Sequence, residues 1–280
     1  GIFEGNPFTR VTVDPRCLVT PRYLKLMNRV LEESRNNPHG SCGVGIGETK
    51  KYYLNFGIDS IFAHDLDDEA LLCEKLELMR VRCVTKLQTI TPRRSPSLDY
   101  LMKLRPYEEA AWLSHEARQI KIEKHPYFEV AIFEGAQGIL LDEQCGFHPH
   151  TTWSDITFRY AHEFLLHYPH TEKLRVGVTR CYHTRHGEGP FPSSNERILN
   201  QATPLQVTEE GNQENDWQGS IRYGWLDLVL LKYGIQCLKP DYLVVNHLDQ
   251  FPLVGSVITH YDGNWSPIAE FRHLKDSEAL

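Results

Sequence analysis

The alternation of short apolar runs with amphipathic helical segments constrains the fold of this chain more than any other feature. Apolar runs typical of buried strands lie at residues 128–133, 174–182, 241–246 and 254–261. Helical periodicity marks residues 21–35, 67–84, 107–121, 155–168 and 225–236. Because consecutive strands joined through a helix normally pair in parallel, this order predicts an α/β fold with a largely parallel central sheet flanked by helices.

Composition narrows the class of protein. The chain has 280 residues, of which 41% are hydrophobic and 24% charged, and this suits one domain over residues 1–280. The net charge of −7 argues against a nucleic-acid binder, which needs a basic face. No apolar run approaches the ~18 residues that span a bilayer, so no membrane segment is predicted. Seven cysteines without a Cys-x-x-Cys pair argue against a zinc site and favour a reduced, cytoplasmic location.

Polar loops follow several of the predicted strands, which is where ligands bind in α/β sheets. The loop at residues 134–138 contains Gly135 and Gly138, which allow the backbone to come close to a ligand. Gln137 lies between them, and its side-chain amide can both donate hydrogen bonds to a purine edge and accept hydrogen bonds from it. A tight turn with a polar cap is the alternative interpretation.

The segment at residues 181–189 is dense in hydrogen-bonding groups. Arg185 suits a carboxylate or a phosphate, and His183 and His186 are of the residue type that changes charge near neutral pH. An exposed loop without chemistry is the alternative. Neither Cys181 nor Cys42 has an evident base partner, so thiolate catalysis is not predicted.

A glycine-rich segment at residues 39–47 is similar to a phosphate cradle, because successive backbone N–H groups in such a loop can surround an anion. Ser41 adds a hydroxyl donor, and Cys42 and Gly43 follow it. The segment is not a P-loop, since the Lys-Ser/Thr ending is absent. A flexible turn is the alternative.

The loop from Asn246 to Asp249 follows an apolar run and reads Asn-His-Leu-Asp. It resembles Asn-Lys-x-Asp, the guanine-reading sequence of GTP-binding proteins, with His247 in place of the lysine. The carboxylate of Asp249 would accept hydrogen bonds from guanine N1–H and the exocyclic amine, a donor pair that adenine lacks.

Taken in order, these segments resemble the adenylosuccinate synthetase family. The sequence Phe-Glu-Gly-Ala-Gln-Gly-Ile-Leu-Leu-Asp at residues 133–142 is close to that family's central signature. Further similar segments follow in the family's order at residues 146–154, 182–192, 224–227 and 246–249. The resemblance covers roughly residues 11 to 261 and implies a GTPase-like nucleotide-binding architecture, incomplete at both ends.

The resemblance also implies an activity, the joining of aspartate to IMP with GTP and Mg²⁺ through a 6-phosphoryl intermediate. Gln137 would be catalytic, contacting the purine at its reacting edge. The residues implied to bind nucleotide phosphate are Ser41, Cys42, Gly43 and Thr152.

Three further groups of residues take roles from the same resemblance. His186 and Gly187 would lie beside the ribose. Arg222 would bind aspartate, and it is the one arginine in residues 216–222, where the family has an arginine-rich loop. The residues implied to bind guanine are Asn246, His247 and Asp249.

The family's N-terminal Gly-Asp-Glu-Gly-Lys-Gly loop, which supplies a base and a Mg²⁺ ligand, has no counterpart in these residues. No metal ligand is therefore predicted within this chain, and a C–N bond-forming ligase is expected if that segment is supplied. Purine nucleotides, aspartate and a second copy in a homodimer are the expected partners. The alternatives are a synthetase that acts on dGMP, as in the phage enzymes that make 2-aminoadenylosuccinate, a nucleotide-binding pseudoenzyme, and an α/β domain without a nucleotide role.

Overall fold

The computed structural model describes residues 11–36, 41–90, 92–124, 127–194, 221–250, 256–262 and, for the backbone alone, 267–270. The chain divides into two compact units, Gly1–Ile132 and Phe133–Leu280. Unit 1 is largely helical, and unit 2 carries most of the strands.

The described part of unit 1 contains helices and one short pair of strands. The helices are α1 (Arg22–Ser34), α2 (Ile46–Phe56), α3 (Glu69–Ile90), α4 (Pro96–Lys103) and α5 (Pro106–Ala117). Strands β1 (Thr12–Val13) and β2 (Lys121–Ile122) pair in parallel. The helices predicted at residues 21–35, 67–84 and 107–121 are confirmed, with shifted ends.

Apolar side chains at helical spacing form the core of unit 1, because burying one face of each helix removes apolar surface from water. The hydroxyl of Tyr23, which is buried in this core, donates to Leu104 O at 2.8 Å and so keeps its hydrogen bond. The fully buried members from α1 and α3 are Tyr23, Met27, Val30, Leu72, Leu76 and Met79.

Helices α2 and α4 were not expected from periodicity, and local signals explain where they begin. Gly45 precedes α2 with φ +93°, and a Cβ there would lie 2.6 Å from Lys25 Cα, so the position requires glycine. Helix α4 begins after Ser95, whose hydroxyl accepts a hydrogen bond from Leu98 N at 3.2 Å. Pro96 occupies the first turn, where its missing N–H costs nothing.

The described part of unit 2 combines two sheets with two helices. The elements are α6 (Arg159–Leu165), β3 (Val176–Arg180), β4 (Tyr182–Arg185), β5 (Arg222–Asp227), α7 (Leu228–Leu238), β6 (Tyr242–Asn246), β7 (Val257–Tyr261) and β8 (Pro267–Glu270). Strands β3 and β6 pair in parallel, and a second sheet has the order β4-β5-β7-β8 with β5 and β7 parallel. The predicted α/β class with parallel strands is confirmed.

The prediction of a buried strand at residues 128–133 is wrong. This segment forms no strand, and its side chains are largely exposed, with Val130 82% and Ile132 91% accessible. The predicted strand at residues 241–246 is present as β6, but it is mostly exposed rather than buried. An apolar run becomes a buried strand only when neighbouring strands and helices cover it, and sequence pattern does not show whether they do.

The helix predicted at residues 225–236 begins three residues later than expected. Trp225, Leu226 and Asp227 belong to β5, which pairs with β4 on one side and with β7 on the other. The strand predicted at 174–182 is divided between β3 and β4, and residues 183–185, expected to lie in a loop, belong to β4. In both cases strand pairing in the folded chain overrides the local pattern.

Some sequence-based expectations fall outside the described residues. They include the polar segment at 211–220 with most of the expected aspartate loop, residues 39–40, residue 91 and the start of the strand expected at 254. Within the part of the chain that the structure describes, no helix has the length and apolar character needed to cross a membrane.

Candidate functional site

The carboxyl ends of β3 and β6 lie side by side, and this brings two of the predicted loops together. In the parallel pair, Arg180 is opposite Asn246. Beyond it, Cys181 N donates to Asn246 O at 3.0 Å and Cys181 Sγ donates to His247 O at 2.9 Å. The chain leaving β3 is therefore tied to the chain leaving β6, where ligands bind in sheets of this kind.

His247 holds a backbone conformation that is uncommon for a side-chain-bearing residue. Its φ is +61°, and such strain of order 1 kcal/mol is found mostly at ligand-binding positions. Its ring packs edge-on against Tyr182 at 5.6 Å, and its buried Nδ1 has no hydrogen-bond partner within the described residues. Asp249 follows in one 3₁₀ turn and is exposed, so its carboxylate is available to a ligand.

Strands β4 and β5 place two arginines next to each other. Arg185 and Arg222 are directly opposite in this antiparallel pair. Burial, together with the positive charge of Arg222, lowers the pKa of Arg185 below its usual value. The structure thus gathers two positive charges at one end of β4, where the sequence suggested a carboxylate or phosphate ligand for Arg185 and aspartate for Arg222 but did not place the two side by side.

Backbone carbonyl groups hold the two guanidinium groups. Arg185 Nη2 donates to Glu188 O at 2.8 Å and to His150 O at 3.3 Å. Arg222 Nη2 donates to Gly187 O at 2.6 Å and to Gly189 O at 3.2 Å. The loop after β4 is therefore wrapped around both arginines.

Three of the predicted site residues lie in or next to the segments that contact this arginine pair. Gly187 has φ +71°, and the neighbouring His186 has a buried Nδ1 without a hydrogen-bond partner in the described structure. Thr152 lies two residues beyond His150, and its N donates to Leu141 O at 2.8 Å. The expected ribose-binding position Gly187 thus contacts Arg222, and the expected phosphate-binding position Thr152 is two residues from His150, which contacts Arg185.

Gln137 stands on an exposed loop and also has positive φ, +70°. The adjoining turn (Ile139–Leu141) packs on α7, where a Cβ at Gly234 would lie 3.1 Å from Ile139 Cγ2. Non-glycine residues with left-handed backbone in the described structure are Gln137, His247 and Lys239. Lys239 ends α7, whereas the other two are positions that the sequence predicts to bind a ligand.

Asp142 anchors the segment after Gln137, and sequence analysis assigned it no role. Its buried carboxylate accepts backbone N–H groups from Gln144 and Cys145, each at 2.8 Å, and from Ile156 at 2.7 Å. Burial opposes ionisation of this carboxyl group, but the three N–H donors outweigh it and hold the pKa below its usual value. The Leu-Leu-Asp end of the signature at 133–142 is the sequence signal that points to it.

Asp227, to which sequence analysis assigned no role, is a second buried carboxylate, and its charge acts on His183. The carboxylate of Asp227 accepts from Val229 N and Leu230 N, each at 3.0 Å, and from the hydroxyl of Tyr261. Burial lowers the pKa of His183, and the charge of Asp227 opposes that shift. An aspartate directly before an apolar helical run is an N-cap signal. The signal was missed because the predicted helix began at residue 225 and so included Asp227.

Ser41, Cys42 and Gly43 lie in unit 1, in the loop before α2. Ser41 Oγ donates to Asn28 Oδ1 at 3.1 Å, and Arg29 Nε donates to Gly43 O at 3.0 Å. Cys42 is exposed and Gly43 is buried. The loop is thus packed against α1, and its hydroxyl already has an intramolecular partner.

Among the residues that the structure describes, no group of three or more His, Cys, Asp or Glu side chains is arranged to hold a metal ion. All seven cysteines are free thiols.

Fold and site together define an α/β protein whose polar loops gather beyond the carboxyl ends of parallel strands. The family model for adenylosuccinate synthetase matches residues 4–266. The chain belongs to the adenylosuccinate synthetase family.

Similar proteins agree with this assignment, and a solved structure shares the fold. The chain is 29% identical over 245 residues to the adenylosuccinate synthetase of Francisella philomiragia and 27% identical to that of Francisella tularensis, covering 85% of this chain in both cases. It spans 55% of the length of these relatives. The fully ligated adenylosuccinate synthetase of Plasmodium falciparum has the same fold, with a TM-score of 0.60 at 15% identity over 92% of this chain and 61% of that chain.

Proposed function

We propose that this chain is the nucleotide-binding and aspartate-binding part of a ligase that joins aspartate to the 6-position of a purine monophosphate. The observation that carries the proposal is the meeting of the β3 and β6 ends, which places the loop of Asn246, His247 and Asp249 beside the chain that leads into β4. Membership of the family supports the reaction type, and GTP would be the phosphoryl donor.

The chemistry proceeds in two displacements. The 6-oxygen of IMP attacks the γ-phosphorus of GTP, so that a C–O–P linkage forms and GDP leaves. The amine of aspartate then attacks C6, and inorganic phosphate departs with the former 6-oxygen. Both steps depend on positioning and on neutralising phosphate charge.

The residues of this chain take separate parts in this scheme. Gln137 would hydrogen-bond the purine at its reacting edge, from a loop whose exposed position leaves room for a ligand. Arg222 would hold an aspartate carboxylate, and Asp249 would accept the two donors of guanine. Thr152 and Ser41 would contact nucleotide phosphate.

Mg²⁺ would neutralise the phosphates in this reaction. A homodimer and a cytoplasmic location are further proposals that rest on the family alone, and sedimentation velocity would test the first.

Guanine recognition is tested by isothermal titration of the chain with GTP, IMP, dGMP and ATP. We expect binding of at least one purine nucleotide, and Asp249→Asn should weaken GTP binding by about tenfold while leaving ATP binding unchanged. Loss of one charged hydrogen-bond acceptor accounts for a change of that size. Absence of binding by all four nucleotides would contradict the proposal, and an unaltered GTP preference in the variant would exclude Asp249 from guanine recognition.

The acceptor nucleotide distinguishes the two enzyme alternatives. His186 carries a buried Nδ1 that has no hydrogen-bond partner among the described residues, so it can offer a polar contact to the ribose of the acceptor nucleotide. Preferential binding of IMP would support the adenylosuccinate reaction, and preferential binding of dGMP would support the 2-aminoadenylosuccinate reaction. Binding without turnover in the complete protein would identify a pseudoenzyme.

A further inference from the structure

We propose that Arg185 and Arg222 together form a binding site for a dicarboxylate, with Arg185 supplying the second guanidinium group. The inference rests on the proposed function, since aspartate is the dicarboxylate that the reaction consumes. It adds a ligand-binding residue from outside the segment at 216–222.

The charge around this pair differs from that around most other arginines in the described structure. Neither Arg185 nor Arg222 has a carboxylate within 4.0 Å among the described residues, and the nearby Glu188 contributes only a longer-range attraction to Arg185. Arginines that do pair with a carboxylate are Arg16, Arg22, Arg35, Arg80, Arg82, Arg159 and Arg175.

Two uncompensated positive charges on neighbouring strands repel each other, and partial burial strengthens that repulsion because the surrounding dielectric is lower than in water. Residues directly opposite in an antiparallel pair have Cβ atoms about 5 Å apart. Carbonyl oxygens solvate part of each guanidinium group but carry no net charge. A bound anion would therefore relieve the repulsion, which gives the pair a favourable interaction with anionic ligands.

Both guanidinium groups keep donors for such a ligand. The hydrogen bonds of Arg222 use only Nη2, so that Nε and Nη1 have no partner in the described structure. Arg185 uses Nε and Nη2, which leaves Nη1. Two separate sets of donors suit a ligand with two carboxylates better than one with a single acceptor group.

The loop after β4 is shaped around the pair. Gly189 has φ +114°, and a Cβ there would lie 2.4 Å from Arg185 Nη2 and 2.7 Å from His150 Cβ. Only glycine allows this close approach. The loop thus holds both side chains in place before a ligand arrives, which lowers the entropic cost of binding.

The test is isothermal titration of the 280-residue chain with L-aspartate and succinate in low-salt buffer, with butyrate as the monocarboxylate control. Arg185→Gln and Arg222→Gln should each weaken dicarboxylate binding by about tenfold or more. Arg175→Gln, which removes an exposed arginine already paired with Asp241, should leave it unchanged. Circular dichroism checks the fold of each variant. If Arg185→Gln does not fold, Arg185→Lys keeps the charge but loses the planar fork, and it should still bind succinate at least threefold more weakly.

Several outcomes would overturn the inference. These are absence of succinate and aspartate binding by the folded chain, wild-type affinity in the folded Arg185 variant, and equal affinity for butyrate. Inorganic phosphate that binds as tightly, with the same dependence on Arg185, would make the pair a phosphate site instead. Parallel titration with GTP and IMP separates the two claims. If the chain binds nucleotides but Arg185→Gln does not weaken dicarboxylate binding, the proposed function stands and this inference is wrong. If succinate binding depends on Arg185 but no nucleotide binds, this inference stands and the proposed function is wrong.

Discussion

At the scale of single residues, buried carboxylates organise the loops that carry the candidate site. Asp142 is 1% exposed, and its carboxylate accepts hydrogen bonds from three backbone N–H groups, all within 2.8 Å, in place of water. A carboxylate with this many donors is stabilised in its charged form even though it is buried. The turn after Gln137 therefore depends on one ionised side chain.

Replacing this carboxylate should destabilise the fold. Asp142→Ala leaves three backbone N–H groups without their acceptor and should lower the free energy of unfolding by about 3 kcal/mol. Glu134→Ala, at an exposed carboxylate of the preceding loop, is the matched control and should change it by less than about 0.5 kcal/mol. Urea denaturation followed by circular dichroism measures both, and equal midpoints for the two variants would contradict the role given to Asp142.

The same residue predicts a pH dependence. Because the pKa of Asp142 is lower in the folded chain than its ordinary value of 3.8, its stabilising effect is fully present above that value and is lost as the pH falls through the lower folded pKa. The stability difference between the wild type and Asp142→Asn should be constant near neutral pH and should shrink below about pH 4. Urea titrations between pH 3 and pH 7 measure it, and a difference that grows on acidification would refute the assignment.

At the scale of elements, the junction between β5 and α7 shows how one side chain can end a strand and start a helix. Asp227 is fully buried, accepts two N–H groups from the first turn of α7, and accepts the hydroxyl of Tyr261 on β7. Its negative charge also interacts favourably with the positive end of the helix dipole at the N-terminus of α7. The capping residue thus links α7 to two neighbouring strands.

Replacing the capping aspartate should lower the free energy of unfolding more than removing one of the groups that donate to it. Asp227→Ala should destabilise unit 2 by about 2–3 kcal/mol, since it leaves the capped N–H groups and the Tyr261 hydroxyl without their acceptor. Tyr261→Phe removes only the donor and should cost about 1 kcal/mol. Thermal unfolding of both variants compares them, and a larger effect for Tyr261→Phe would show that the tyrosine rather than the cap dominates.

Sequence patterns predicted the elements of this chain unevenly, and pairing explains the difference. Helix α3 was recognisable because its buried residues recur at helical spacing and local hydrogen bonds suffice to form it. Residues 225–227 and 128–133 were misassigned because a strand takes its backbone partners from distant segments. The residue pattern within one segment does not predict which distant segments pair with it.

At the scale of the whole molecule, the described parts of the two units differ in how much apolar surface each has buried. Unit 1 has an extended core contributed by its helices, whereas the main buried cluster of unit 2 contains Cys181, Tyr182, Trp225 and Ile258. The faces of β3 and β6 stay largely exposed, with Val178 at 65% and Tyr242 at 63%. Burial of apolar surface supplies most of the stability of a fold, so unit 1 should be the more stable one.

Hydrogen exchange tests this expectation directly. Backbone amides in α1, α3 and α5 should exchange at least about tenfold more slowly than those in β3 and β6, because local opening is easiest where few apolar contacts must break. Mass spectrometry of peptic peptides resolves these segments. Protection of β3 and β6 equal to that of α3 would contradict the ranking.

The sequence by itself determined the α/β class, the family, and the loops that hold Gln137 and Asp249, because these depend on local residue types in a set order. The tertiary structure alone decided that Arg185 lies opposite Arg222, that Asp142 and Asp227 become buried acceptors, and that residues 128–133 remain exposed. Each of these depends on strand register and on packing between segments far apart in the chain. Such contacts are decided by the free energy of the whole fold, which no single segment encodes.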